Sequence, residues 1–119
     1  MGDEVLNELQ LGDDEWTPVH KSVEASDYEE LTMFLDSGVD PNEMCFGHTL
    51  LTHAIDVEGD GHLQSNYPLN TAATAILLAY GADPELPAAD GETPMQIAER
   101  YSHEPAKRLM QQFMNTRRR

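Results

Sequence analysis

Apolar residues recur at helical spacing in separate stretches of the chain. Leu31, Phe34 and Leu35 form one such set, and Ile76, Leu77 and Tyr80 form another. Both patterns predict helices with one apolar face. Toward the C-terminus, Leu109, Met110 and Phe113 alternate with Glu104, Lys107, Arg108, Gln111 and Gln112, which predicts a helix with one wet side. Val5, Leu6 and Leu9 keep the same spacing in the acidic start, roughly residues 3–11, and predict a short helix there.

The punctuation between these stretches repeats. Trp16-Thr17-Pro18-Val19-His20-Lys21-Ser22, His48-Thr49-Leu50-Leu51-Thr52-His53-Ala54 and Glu92-Thr93-Pro94-Met95-Gln96-Ile97-Ala98 align with one another. The first two are followed downstream by Ser37-Gly38-Val39-Asp40-Pro41-Asn42 and Tyr80-Gly81-Ala82-Asp83-Pro84-Glu85. Thr before Pro sets a cap just ahead of a helix: the hydroxyl accepts from exposed backbone N–H groups, and Pro has no N–H to orphan. Leu50 departs from this and should loosen the second turn. Gly38 and Gly81 suit left-handed ends of the second helices. Asp40-Pro41 and Asp83-Pro84 then send the chain into an extended turn. Asp90-Gly91 marks the tip of a second projecting hairpin. Small Ser22, Ala54 and Ala98 let paired helices approach closely.

Thr17 and Thr49 lie 32 residues apart, and Thr49 and Thr93 lie 44 apart. A period near 33 with one insertion of about 11 accounts for both. The chain therefore resembles the ankyrin-repeat family over about residues 13–113, and short standalone bacterial members in particular. An unrelated antiparallel helical bundle is the alternative, but a bundle has no reason to repeat Gly-[Val/Ala]-Asp-Pro. The resemblance implies an all-α solenoid of about three helix–turn–helix repeats with short hairpin loops. In one domain, 1–119, an acidic capping segment (1–12) precedes the first repeat (13–42). The second repeat (43–85) carries an insertion at 58–69, the third (86–113) doubles as the C-terminal cap, and a basic tail (114–119) follows. Two glycines and Pro68 in the insertion predict a loop rather than a longer helix, and a loop of that length is often functional.

Composition narrows the function classes. The chain has 119 residues, 39% hydrophobic and 24% charged, enough for one core without a metal or disulfide. The lone Cys45 points to a reducing compartment. The start, MGDEVLNELQL, lacks the basic and apolar regions of a secretory signal, and no stretch is long enough to span a membrane. A cytoplasmic monomer is expected. Net charge is −15, unevenly spread: residues 1–99 hold 21 of the 22 acids and one base, Lys21, whereas residues 100–119 hold six bases against Glu104. Such a body repels nucleic acid and anionic membranes and attracts a basic protein. The same acidity also serves plain solubility.

No catalytic or cofactor template is present: no phosphate loop, no G-x-S-x-G, no HExxH. Glu24, Asp27, Glu29 and Glu30 read as a solvated acidic face. Asp56, Glu58, Asp60 and Gly61 imitate the start of a calcium loop, but the twelfth position from Asp56 is Tyr67, which cannot supply the bidentate acid. Cys45, His48 and His53 make a thin case for zinc. His62 and His103 look solvent-facing. The resemblance gives His20 a structural duty, tying neighbouring turns by hydrogen bonds.

In the ankyrin family, partners meet the concave face of hairpin tips and first helices. Carried over by position, that face comprises Met44, Phe46 and His48 on the first hairpin, and Ala88 and Glu92 on the second. The helices add Lys21 and Glu24, then His53 and Asp56, then Ile97 and Glu99. Met44 and Phe46 are hot-spot residue types. The first hairpin is one residue shorter than the family pattern between Asn42 and Gly47. The expected function is non-enzymatic protein binding, in the sharper form an acidic inhibitor or immunity-type protein gripping a basic partner. The alternatives are a general adaptor, or a calcium-responsive module centred on Asp56–His62.

Overall fold

Three threonines start three helices. Thr17, Thr49 and Thr93 each take extended backbone, and each hydroxyl accepts from the backbone N–H three residues on, in His20, Thr52 and Gln96. At Thr93 the cap is reciprocal, because the Gln96 side chain accepts from the Thr93 N–H. A cap of this type stabilises a helix by about 1 kcal/mol. Leu50 costs the second turn its proline but not its cap.

The computed structural model describes residues 16–66 and 68–117. In chain order it has α1 (Pro18–Glu24), α2 (Tyr28–Asp36), β1 (Met44–Cys45), β2 (His48–Thr49), α3 (Leu50–Ser65), α4 (Ala72–Ala79), α5 (Pro94–Arg100) and α6 (Glu104–Arg117). The helix expected at residues 3–11 lies outside the described residues, as do Arg118 and Arg119. The tail expected from residue 114 is helical as far as Arg117.

Each repeat is an antiparallel pair: α1 with α2, α3 with α4, α5 with α6. The first helices form one layer, α1 against α3 against α5, and the second helices form the other, α2 against α4 against α6. Between the layers lies a mainly aliphatic core that includes Val23, Leu31, Leu50, Leu51, Ile55, Leu77, Ile97 and Met110, all at most 1% exposed. Each such side chain contributes roughly 1.5–3 kcal/mol of apolar transfer. Buried Ser22, Ala54 and Ala98 let the helices approach, as expected.

The second helices end alike. After α2, the Gly38 N–H donates to Leu35 and the Val39 N–H to Phe34; after α4, Gly81 donates to Leu78 and Ala82 to Leu77. Both glycines have positive φ, 106° and 101°, so these are paired Schellman ends. The hairpin pairs Met44 with Thr49 and Cys45 with His48. Its two turn residues, Phe46 and Gly47, both have positive φ, 51° and 81°, the pattern of a type I′ turn. This turn accommodates the shortened hairpin. The row of hairpins is cross-linked along the stack. The Gly47 carbonyl accepts from Ala89 N–H, and the Asn42 side-chain oxygen accepts from Asp83 N–H.

The insertion is not the expected loop. It lengthens α3 to 16 residues, against seven in α1 and seven in α5. The nine extra residues add roughly 14 Å of helix, which ends at Asn66 in the left-handed region. Tertiary contacts override the helix-breaking tendency of glycine. Gly59 faces Tyr101 so closely that a Cβ there would lie 2.3–2.7 Å from the ring, and only glycine lets α3 pass.

Candidate functional site

The concave side begins at an aromatic cluster. Trp16, just ahead of the first cap, stacks on His53 at 4.4 Å between centroids and 22°. It meets Phe46 edge-on at 5.0 Å, and His20 and His48 also lie beside it. His20 is fully bonded as a neutral ring. Nε2 donates to the His48 carbonyl, which has no proton to give, so Nδ1 accepts from the Thr17 hydroxyl. Burial lowers its pKa, partly opposed by the bond to His48. The expected tie between neighbouring turns is thus made.

His53 is different. It is 5% exposed, and neither ring nitrogen has a hydrogen-bond partner. Burial, with His20 and His48 close by, pushes its pKa down to about 4, so the ring is neutral near pH 7. The nearest carboxylate oxygen, on Glu24, is 3.8 Å from Nε2, too far for a hydrogen bond.

Beside His53 opens a cavity of about 340 Å³ lined by Trp16, Glu24, Asp56, Asp60 and Gln64 among others. Its origin is the unequal length of two helices. α1 stops at Glu24, while α3 runs on to Ser65 and leaves an overhang above the end of α1. The overhang carries Asp60, whose Oδ1 accepts from Gln64 one turn on.

The other side of α3 is closed. Glu58 receives the Thr74 N–H and hydroxyl and lies 2.8 Å from His103 Nε2. The side chains of His103 and Glu58 are 0% and 5% exposed. Asp56 accepts from the Tyr101 hydroxyl at 2.6 Å, and burial with this bond pushes Tyr101 up to about 12. Further out, Glu92 holds Arg100 through two parallel bonds of 3.0 Å, which raise the guanidinium's pKa.

Comparison of the sequence with protein-family models finds no match, and neither does comparison with curated proteins. Among solved structures, the fold superimposes on an ankyrin repeat domain from Acinetobacter baumannii with a TM-score of 0.69 and 28% identity. The match covers 82% of this chain and 47% of that one. The chain has the fold of an ankyrin-repeat protein. It spans about half the length of that solved relative.

The expected concave residues divide by burial. Met44 and Phe46 are 46% and 53% exposed at the hairpin tip. Lys21, Glu24 and Glu99 are exposed; His48, Asp56 and Glu92 are half-buried. Ile97, Ala88 and His53 are buried at 1%, 7% and 5%, and none stands at the surface as expected. Ile97 is apolar and its helix is packed on α3, so repeat position alone did not predict its exposure. Ala88 lies under the second hairpin turn, where its N–H donates to Glu92. His53 lies beneath Trp16.

Other expectations also change. His103 is fully buried on Glu58, and His62 is half-buried. Asp56–His62 is helical, so the segment cannot wrap a cation as a calcium loop does. Asp56 and Glu58 instead face Tyr101, Thr74 and His103. Among the described residues no three His, Cys, Asp or Glu side chains gather to hold a metal, Cys45, His48 and His53 included. No helix among them is long and apolar enough to cross a membrane. Sequence reading assigned no place at this cavity to Trp16 or Gln64, and it offered Asp60 only as part of a calcium loop. The available signal was the chain's single tryptophan standing directly before a helix cap.

Proposed function

We propose that this ankyrin-repeat protein is a non-enzymatic, acidic binding module that grips a basic partner protein through its concave side, in the manner of an inhibitor or immunity protein. Exposed Met44 and Phe46 carry this reading. Phe46 is a bulky residue held in left-handed backbone at roughly 1–2 kcal/mol, and it stays exposed although burial would favour folding. Such an outlier at a loop tip is accounted for by contact with another molecule. The net charge of −15 supports a basic partner. A monomeric state and a cytoplasmic location belong to the same proposal.

Affinity capture from the native source tests it. A basic protein should be retained, and retention should fall as salt rises. The double variant Met44→Ala/Phe46→Ala should weaken capture by about tenfold or more with its helical circular dichroism unchanged. An acidic partner, or capture undiminished by the double variant, would defeat the reading. Light scattering of the purified chain checks the monomer.

A further inference from the structure

The cavity under the α3 overhang has no role in the fold so far described. We infer that it is a receptor for one arginine side chain of the partner, its guanidinium lodged between Glu24 on the end of α1 and Asp60 on the overhang, against His53. This inference rests on the proposed grip of a basic protein and names where that partner's charge would enter.

Three observations converge. Carboxylates stand on both walls, Glu24 on one side and Asp56 and Asp60 on the other. Asp56 Oδ1 and Asp60 Oδ1 already accept from Tyr101 and Gln64, but an ionised carboxylate has about four acceptor sites. His53 forms part of the wall, 95% buried, with both ring nitrogens lacking a partner. Buried polar atoms are rarely left in that state, so each needs an account. A neutral imidazole keeps one acceptor nitrogen, and a donor arriving past the exposed Glu24 side chain would satisfy it. Finally, the cavity opens beside the indole of Trp16.

These features select guanidinium over ammonium. Acceptors on two walls suit a planar fork of five donors better than a point charge. A guanidinium is also more weakly hydrated, so it enters a half-covered aromatic site at less desolvation cost. The pocket exists only because the insertion lengthened α3, which gives that insertion a function a loop was not needed to supply.

The test uses the full chain and three blocked tripeptides, Gly-Arg-Gly, Gly-Lys-Gly and Gly-citrulline-Gly. Trp16, the only tryptophan, reports by fluorescence, and the His53 ring reports by nitrogen chemical shift. The arginine peptide should bind saturably and shift both signals. Citrulline has nearly the same shape without the charge and should bind at least about tenfold more weakly, the worth of one charge-assisted bond. Glu24→Gln and Asp60→Asn should each weaken arginine binding several-fold, while Glu29→Gln/Glu30→Gln on α2 should leave it unchanged. Equal binding of citrulline or lysine would overturn the assignment, as would an equal loss in the α2 variant, which would reveal diffuse charge alone. Absence of saturable arginine binding would also overturn it. If the pocket fails while capture still depends on Met44 and Phe46, the proposed function stands without it. If capture fails while the arginine peptide binds, the pocket stands and the hairpin grip falls.

Discussion

The two flanks of α3 bury polar side chains in opposite ways. Toward α4, α5 and α6, Glu58 is met by Thr74 and His103, and Asp56 by Tyr101, with His103 Nδ1 left without a partner. Toward α1, His53 is buried with no partner at either nitrogen, and the carboxylate nearest to it stands off at 3.8 Å. A buried network whose carboxylates are all bonded fixes the geometry of a joint. An unsatisfied group is a standing cost that a ligand can relieve. The second joint of this solenoid is therefore tied by side-chain bonds, and the first leaves His53 without one.

The largest expected effect breaks the closed joint. Glu58→Ala removes the shared partner of His103 and Thr74 and should cost on the order of 4 kcal/mol, read by urea unfolding. Glu24→Ala, exposed on the open flank, should stay within about 0.5 kcal/mol of the parent. Equal losses would erase the contrast.

Acid should attack the open joint. His53 is held near 4, below its ordinary 6.5, so the folded state takes up that proton later than the unfolded state does. Its contribution is complete above about pH 6.5, falls as pH drops through that value, and is lost by about pH 4. The depressed pKa is worth on the order of 3 kcal/mol across that window, and the lowered His20 acts in the same sense. Around His53 the groups that set this are His20 and Glu24 from α1, His48 from β2 and Asp56 from α3. His53→Phe should flatten the stability-against-pH curve between pH 4 and 6.5, and an unchanged slope would place the acid sensitivity elsewhere.

A smaller effect sharpens the packing of the closed side. Gly59→Ala drives a methyl group into the Tyr101 ring and should cost about 2 kcal/mol, whereas alanine in a free helix interior would be favourable by nearly 1 kcal/mol. Combined with Tyr101→Ala, the total should fall short of the sum of the single changes. The smallest effect on stability belongs to Met44→Ala/Phe46→Ala, within about 1 kcal/mol, since both residues are substantially exposed.

Features set by local chemistry were legible in the chain. The Thr17, Thr49 and Thr93 caps and the Gly38 and Gly81 ends depend on residues within a few positions, so the repeat and its fold could be read directly. Features set across the stack were not. Gly59 looks like a helix breaker until Tyr101 arrives from the next repeat. His103 looks wet until Glu58 arrives from α3, and His53 looks like a surface residue until Trp16 closes over it. Equivalent positions also diverge: Lys21 is exposed, while His53 and Ile97, at the same step of the later repeats, are buried.

The backbone link from Ala89 to the Gly47 carbonyl has a consequence for encounter with a partner. A tip loop swinging freely would have to surrender that freedom upon docking, and binding would be weakened accordingly. Here the tip is already braced by its neighbour, so Met44 and Phe46 are presented in one arrangement before any collision. Association would then be governed by diffusion and charge steering rather than by a search among loop conformations.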